Sequence, residues 1–415
     1  MPLKSKITNP AFSGSRSYSD QSAMIEQLTK AQPSDEADDV LFSSTYGVRH
    51  VELNRPKKLN SLNGSMARKI IARMKEWERS ELANVILISG AGRAFCAGGD
   101  VAYLAQENQK GPEGQQASTD YFGLEYKLDH LIATYNKPYI AFLDGITMGG
   151  GVGLSVHAPF RIATDKTVFA MPETTIGFFP DVGASFFLTR MEGGMGCYLA
   201  LTSEQLKGVD VLYHGVATHY LDGTSFEPLK QRLGELQFPD HATLEDRHKL
   251  INSTLAEFAT GLPSPRPALS GELRRTIDHC FDPATHASPL DILRDVEQVT
   301  QTYNEEHVLS KWARKTIATI RERSPISVAV SLRQMQVGRQ WDIAETFKKE
   351  YNIAAHFMRH PDFVTGVSAR LINKTKERPQ WKPNQLEDVT REDVDAFFES
   401  QEGGELELLN TQSSE

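Results

Sequence analysis

Residues 142–181 read FLDGITMGGGVGLSVHAPFRIATDKTVFAMPETTIGFFPD, and this stretch decides the fold of the chain. Just before the glycines, residues 139–144 form a short apolar run that is typical of a buried strand. The small apolar run VGLSVHA after Gly151 predicts a closely packed helix. The glycines at 149–151 are therefore predicted to form a strand-to-helix turn, although three glycines can also serve only to make a tight turn.

A second unit of the same kind lies upstream. Residues 84–89 (NVILIS) predict another buried strand, which leads into GAGRAFCAGGDVAYL and a glycine-rich turn at residues 97–99. Backbone N–H groups at such a turn point outward and favour a negatively charged ligand atom. If the two strands adjoin, one N–H from each turn would form a two-donor oxyanion hole, which stabilises the charge that develops in acyl chemistry.

These two motifs resemble the paired signatures of the crotonase (enoyl-CoA hydratase/isomerase) superfamily, with AFCAGGD at residues 94–100 and GITMGGGVGL at residues 145–154. The resemblance implies an α/β fold, a spiral of ββα units with a C-terminal helical region. It also implies that Gly99 and Gly150 donate to the carbonyl oxygen of a coenzyme A thioester. The neighbouring residues expected to contact the substrate are Gly98, Asp100 and Gly149.

Residues 155–188 most resemble the 3-hydroxyisobutyryl-CoA hydrolase family, thioesterases of valine breakdown. By this resemblance, Glu173 of MPET is the principal catalytic group, Asp181 of FPDVG holds the substrate hydroxyl, and Glu125 of LEYKL binds substrate. No metal or redox cofactor is implied. Independently of the resemblance, Glu173 is embedded in an apolar run, and burial would raise its pKa and make it a better base or nucleophile.

Each of these carboxylates also has a purely structural interpretation. Glu173 can cap the next turn or pair with an arginine. Asp181 can bond its own backbone in a turn, and Glu125 with Asp129 can lie on an ordinary solvated helix face. The candidate arginine partners of Glu173 are Arg161 and Arg190.

The position of Gly153 decides between reaction types. Hydratases of the superfamily place a second catalytic glutamate two residues after the third glycine, and this chain has Gly153 there. Hydration of a carbon–carbon double bond uses two carboxylates. Hydrolysis of 3-hydroxyisobutyryl-CoA is therefore favoured, and an enoyl-CoA hydratase or isomerase is the alternative within enzymes.

A second alternative is structural. Hydrolase-like chains of this family have been recruited as components of the mitochondrial small ribosomal subunit. Where the family usually has Glu, Arg and Asp, this chain has Thr365, Ser368 and Asn373, which leaves that alternative open.

The segment RPKKLNSL at residues 55–62 lies against coenzyme A in the superfamily. Lys57, Lys58 and Leu59 are therefore expected to contact the nucleotide part of the substrate. Lysines suit a phosphate ligand, but exposed lysines in a turn are also commonly just solvated.

The composition is typical of a globular protein, with 415 residues, 40% apolar and 24% charged. The net charge of −9 argues against general nucleic-acid binding, so nucleic acid is expected only through association with a mitochondrial ribosome. No apolar run reaches the length of a membrane span, and no membrane partner is expected.

The widely spaced cysteines indicate neither a disulfide framework nor a zinc site, and Cys96 is interpreted as a small apolar filler. The oligomeric state stays open.

The N-terminal residues 1–19 contain basic residues and serines but no acid, a composition typical of a mitochondrial presequence. A surface loop that can fold over a ligand is predicted at residues 107–118, which are rich in glycine and glutamine.

The predicted domains are a transit or disordered segment (1–38), a core with the oxyanion hole (39–221), a proline-broken helical insert (222–300), a C-terminal helical region (301–400) and an acidic, disordered tail (401–415).

Overall fold

The computed structural model describes residues 18–239, 241–263, 266–400 and 405–409. The strands are β1 (Val40–Thr45), β2 (Val48–Leu53), β3 (Val85–Gly90), β4 (Ala94–Cys96), β5 (Tyr139–Leu143), β6 (Ile146–Met148), β7 (Phe160–Ala163), β8 (Val168–Ala170), β9 (Leu206–Lys207) and β10 (His219–Tyr220). The α-helices are α1 (Tyr18–Thr29), α2 (Gly64–Arg79), α3 (Val101–Asn108), α4 (Pro112–Ala133), α5 (Gly150–Val156), α6 (Ala184–Phe187), α7 (Met195–Thr202), α8 (Val209–Tyr213), α9 (Phe226–Gly234), α10 (Leu244–Glu257), α11 (Gly271–Cys280), α12 (Pro289–Thr302), α13 (Val308–Glu322), α14 (Pro325–Val337), α15 (Ile343–Arg359), α16 (Pro361–Val367) and α17 (Arg391–Asp395).

Two sheets carry the core. The larger has the order β1-β2-β3-β5-β7-β10, with β1 and β2 antiparallel and the other pairs parallel. The smaller has the order β4-β6-β8-β9, with only β8 and β9 antiparallel. The successive pairs β3 and β4, β5 and β6, and β7 and β8 each place one strand in each sheet. This alternation is the expected α/β spiral of ββα units.

The predicted local elements follow from local chemistry. Strand β5 is buried along its whole length, as expected for a central parallel strand with an uninterrupted apolar sequence. The hairpin at the start of the core is formed by β1 and β2. Helix α2 begins after its N-cap Asn63, whose side chain accepts a hydrogen bond from the N–H of Met66.

The approach to each glycine turn differs from the prediction of a single strand. The chain first crosses from the larger sheet to the smaller one, where β4 and β6 precede the turns. Gly90 and Gly145 make the crossings possible, because a Cβ at Gly90 would overlap the carbonyl of Phe95 and one at Gly145 that of Arg93. Gly145 also has φ +107°, a conformation that side chains disfavour.

The loop predicted at residues 107–118 is wrong. Only residues 109–111 separate α3 from α4, and Pro112 occupies the first turn of α4, where its missing N–H is not needed. Ser118 and Thr119 are buried. The polar residues of this segment therefore belong to the first turns of α4, which is exposed on one face and buried on the other.

The C-terminal helices pack on the core, with one hydrophobic cluster reaching from Leu104 to Leu406. The prediction of a disordered tail is wrong for residues 405–409, since Leu409 is fully buried and Lys348 pairs with Glu405. Within the predicted transit or disordered segment (1–38), residues 18–29 form helix α1 and are therefore not disordered. Residues 1–17, which include most of the predicted presequence (1–19), and the rest of the tail lie outside the described residues. The division into core, insert and C-terminal region remains a proposal. Across the described part of the chain, no helix has the length and apolarity required to cross a membrane.

Candidate active site

The two glycine turns meet at the carboxyl ends of β4 and β6. Leu62 donates its N–H to the carbonyl of Gly98 and accepts from the N–H of Asp100, both at 2.8 Å. This parallel bridge turns the N–H of Gly99 away from Leu62. The nitrogen of Gly99 lies 3.3 Å from the position that a Cβ would take on Gly150. The predicted adjacency of the two turns is therefore present.

Each position of the run 149–151 requires glycine for a different geometric reason. Gly149 has φ +47° and ψ −121°, which disfavours any side chain. A Cβ on Gly150 would overlap Oε1 of Glu125, and one on Gly151 would overlap the carbonyl of Cys96 in β4. Among the described residues, no backbone carbonyl accepts from the N–H of Gly99 or Gly150. Two donors thus remain for a ligand oxygen.

The carboxyl group of Glu173 faces this pair of turns. Glu173 opens the 3-10 turn Glu173–Ile176 after Pro172 and is only 5% exposed. Its Oε1 lies 3.0 Å from the Cβ position of Gly149, while its buried Oε2 has no hydrogen-bond partner among the described residues. Burial, followed by the charge of Asp181, raises the pKa of Glu173 well above its usual value. The environment therefore favours a neutral or highly basic carboxyl group.

The two arginines that are candidate partners of Glu173 are bonded elsewhere. Arg161 donates to the carbonyls of Val216 and Ala158 at 2.5 and 2.6 Å. Arg190 donates to the carbonyls of Phe186 and Trp341, both at 2.9 Å. A structural ion pair does not account for the burial of Glu173.

Asp181 is also buried, and its Oδ2 accepts a 2.8 Å hydrogen bond from the hydroxyl of Tyr126. Burial is the main cause that raises the pKa of Asp181 to about 8, and the charge of Glu350 adds to it. The charge of Asp181 adds to the proton affinity of Glu173, so the protonation of Glu173 depends on that of Asp181.

The turn after Asp181 is held by a distant residue. Val182 has φ +53°, an unfavourable conformation for a β-branched residue, and Gly183 has φ +86°. The carboxylate of Glu350 on α15 accepts from the N–H of Gly183 at 2.7 Å and from that of Ser185 at 2.9 Å. These charge-assisted bonds fix the backbone that presents Asp181.

Glu125 lies on the inner face of α4, and the alternative of a solvated helix face is wrong for it. Glu125 is 2% exposed and Asp129, one turn later, is fully buried. Oε1 of Glu125 sits against Gly150 and has no hydrogen-bond partner among the described residues. Burial, followed by the charge of Asp181, raises the pKa of Glu125 well above its usual value.

The remaining predicted contacts lie at the rim. Asp100 is already paired with Arg55 at 3.0 Å and with Lys58 at 3.4 Å. Lys57 is exposed on the 3-10 turn Pro56–Lys58, and Leu59 follows in a left-handed conformation. Their contact with a nucleotide remains a proposal.

Three residues of the site were not predicted from sequence: Tyr126, Asp129 and Glu350. Tyr126 and Asp129 belong to the helical pattern of Glu125, and the spacing of Glu125 and Asp129 by one turn could have signalled a shared inward face. No pattern in the sequence around Glu350 identifies it as part of the site, because its partners Gly183 and Ser185 lie far away in sequence.

The arrangement can bind a carbonyl oxygen with two N–H groups while a buried carboxyl group approaches from the adjoining turn. Such a site suits acyl transfer. In the described part of the chain, no group of three or more His, Cys, Asp or Glu side chains is arranged to hold a metal ion.

Comparisons with known proteins agree with this geometry. The sequence profile described as enoyl-CoA hydratase/isomerase matches residues 48–398. The solved structure of a carnitinyl-CoA dehydratase from Mycobacterium thermoresistibile superposes with a TM-score of 0.76 at 32% identity, covering 91% of this chain and 100% of that one.

Two kinds of relative stand out by sequence. The small ribosomal subunit protein mS47 of Neurospora crassa is 51% identical over 425 residues, covering 100% of this chain and 80% of the relative. The mitochondrial 3-hydroxyisobutyryl-CoA hydrolase of Gallus gallus is 39% identical over 386 residues, covering 93% and 95%. The mitochondrial localisation predicted from sequence is confirmed by such relatives.

Proposed function

Because this chain belongs to the enoyl-CoA hydratase/isomerase family, we propose that it hydrolyses a short 3-hydroxyacyl-CoA thioester, 3-hydroxyisobutyryl-CoA, to the free acid and coenzyme A, as a step of valine catabolism. The observation that carries the proposal is the meeting of the two glycine turns with Glu173 beside them. The nitrogen of Gly99 lies 3.3 Å from the Cβ position of Gly150. Oε1 of Glu173 lies 3.0 Å from the Cβ position of Gly149.

The N–H groups of Gly99 and Gly150 bind the thioester oxygen and stabilise the negative charge that forms on it. The carboxylate of Glu173 either attacks the carbonyl carbon or removes a proton from an attacking water. In the first route the C–S bond breaks, coenzyme A leaves as a thiolate that takes a proton, and water then hydrolyses the mixed anhydride. In the second route water adds directly and the same bond breaks. Label found in Glu173 after hydrolysis in ¹⁸O-labelled water would show the first route, with water attacking the glutamyl carbonyl of the anhydride.

Asp181 binds the 3-hydroxyl group of the substrate. Its Oδ2 accepts from Tyr126, and the other oxygen can accept from a substrate hydroxyl. The bonds from Gly183 and Ser185 to Glu350 hold this turn in place. A substrate without the hydroxyl would leave a buried polar group unpaired, which disfavours its binding.

Hydration is less well supported. Gly153 has no side chain, and the carboxyl group of Asp129 fills the adjacent space, with Oδ2 2.5 Å from the Cβ position of Gly153. The second catalytic glutamate of a hydratase has no room there.

Thiol release and hydration can be measured side by side. We expect the protein to release free thiol from 3-hydroxyisobutyryl-CoA faster than from butyryl-CoA and to hydrate crotonyl-CoA poorly. Efficient hydration of crotonyl-CoA without thiol release from any ester would contradict the hydrolase assignment and favour the hydratase.

We also propose, as a second and compatible function, that the protein is a component of the mitochondrial small ribosomal subunit. The supporting observation is the 51% identity to mS47 of Neurospora crassa along the whole chain, above the 39% found for the Gallus gallus hydrolase. Sedimentation of a mitochondrial lysate through a sucrose gradient tests it. Comigration with the small subunit at physiological salt supports the proposal, and recovery only in the soluble fractions contradicts it.

A further inference from the structure

Asp129 is a buried acid for which the proposed chemistry has no use. It lies on α4, four residues after Glu125, and is fully buried. Neither of its oxygens has a hydrogen-bond partner among the described residues. Its carboxyl group packs against Gly153 in α5, with Cγ 2.8 Å from the Cβ position of that glycine.

Acids and other weakly acidic groups surround Asp129. The acids that act on it are Glu125 on its own helix, Asp181 in the turn before α6, and Glu350 on α15. The other titratable groups within its reach are Cys96 of β4, Tyr139 of β5 and Tyr121 of α4. No lysine, arginine or histidine in the described chain forms an ion pair with it. A negative charge on Asp129 would therefore be repelled by the negative charges of these acids.

Glu350 provides a contrast, since it is equally buried but receives two backbone N–H groups and the amide of Gln334 at 3.4 Å. Donors of this kind stabilise an ionised carboxylate, and Asp129 has none. Glu125, by contrast, has one oxygen without a partner among the described residues, Oε1 against Gly150, and it keeps an exposure of 2%, whereas Asp129 is fully buried with neither oxygen partnered. Where two neighbouring acids compete for one proton, the more deeply buried group without donors keeps it.

We propose that Asp129 is a positioning residue that stays neutral, fills the space beside Gly153 and leaves the negative charge of the pair on Glu125, next to the oxyanion donors. Burial and the charge of Glu125 raise the pKa of Asp129 well above its usual value, in agreement with this assignment. The consequence for catalysis rests on the proposed function, whereas the protonation of Asp129 does not.

The first test measures thermal unfolding against pH for the full-length protein and for Asp129→Asn. An acid with a raised pKa in the folded state stabilises the fold most below its ordinary pKa, and this stability is lost as the pH rises toward the raised pKa. Between pH 5 and 8 the Tm of the wild type should therefore decline with pH, and the decline should be smaller in Asp129→Asn.

A matched control is Asp120→Asn, an exposed position on the same helix, for which the slope should equal that of the wild type. Equal slopes in Asp129→Asn and the wild type would overturn the proposal, because an Asp129 that is ionised in both states contributes no pH dependence.

The second test records thiol release against pH. Loss of the last proton from the Glu125–Asp129 pair should lower kcat/KM in alkaline solution, and Asp129→Asn, which has no such proton to lose, should abolish that limb. A merely structural role would change the rate without removing the limb, and a retained limb contradicts the positioning role. If the wild type releases no thiol from any ester, the proposed function fails, while the Tm slopes still decide the protonation of Asp129.

Discussion

The hydroxyl of Tyr126 donates a 2.8 Å hydrogen bond to Oδ2 of Asp181 and so ties the inner face of α4 to the turn before α6. Both residues are buried. The bond lowers the pKa of Asp181 and orients the carboxyl group that we assign to the substrate hydroxyl. Under the proposed function, this contact makes the binding of hydroxylated substrates depend on Tyr126, which itself touches no reacting atom.

Replacing Tyr126 by Phe keeps the ring and removes the hydrogen bond. We expect KM for 3-hydroxyisobutyryl-CoA to rise by about 3- to 10-fold, since a typical hydrogen bond contributes about 1 kcal/mol. Steady-state kinetics with butyryl-CoA, which lacks the hydroxyl group, serve as the control and should change little. An equal rise in KM for both esters would show that the bond does not act through the hydroxyl.

Asp181→Asn should move the acid limb of the pH profile. The charge of Asp181 raises the pKa of Glu173, so its removal lowers that pKa. Catalysis by the carboxylate of Glu173 is lost as the pH falls through its pKa, and the limb should therefore shift to lower pH in the variant. The measurement is kcat/KM for butyryl-CoA across the pH range, because this ester avoids the lost hydroxyl contact. A shift to higher pH would contradict the coupling.

Two neighbouring glycines should respond differently to alanine. At Gly150 the new methyl group meets Glu125 and the nitrogen of Gly99, whereas at Gly151 it meets the carbonyl and Cβ of Cys96. Gly150→Ala keeps its N–H but presses a methyl group against Glu125 and the nitrogen of Gly99, so it should disturb the oxyanion hole and lower thiol release by about 100-fold or more, with a small change in Tm. Gly151→Ala should instead lower stability by about 1–3 kcal/mol, because a strand must move. Equal activity and equal Tm for the two variants would contradict the assigned roles.

The contact between Gly153 and Asp129 predicts a coupled pair. Gly153→Ala would place its methyl group 2.5 Å from Oδ2 of Asp129 and should destabilise the fold by about 1–3 kcal/mol. Asp129→Ala removes the overlapping atoms, so the double variant should be more stable than the sum of the two single changes by roughly 0.5–3 kcal/mol. Denaturant unfolding of the four proteins measures this, and additive effects would mean that the two residues are not in contact.

Much of the fold was predictable because its signals are local. The apolar runs of β3 and β5, the cap at Asn63 and the glycine turns each depend on neighbouring residues. The crossings at Gly90 and Gly145 were missed because a glycine there is explained only by a carbonyl from another segment. The start of α4 was missed because polar residues over a buried helix face look like a loop.

The residues of the site also fall into those that a local sequence pattern predicts and those that it does not. Gly99, Gly150, Glu173 and Asp181 were predicted because each belongs to a recognisable motif. The contact of Glu350 with Gly183 spans 167 residues, and no local pattern encodes such a choice of partner. The inward face of α4 likewise depends on packing against α5 and α15.

The proposed role of Glu173 is tested by measuring thiol release from 3-hydroxyisobutyryl-CoA by the wild type and by Glu173→Gln. The variant keeps the size and burial of the side chain but has no carboxylate that can attack or take a proton. We expect kcat/KM to fall by about 1,000-fold, within the range found for loss of a positioned base, with an unchanged Tm as the control for folding. Thiol release by Glu173→Gln at the rate of the wild type would contradict the account.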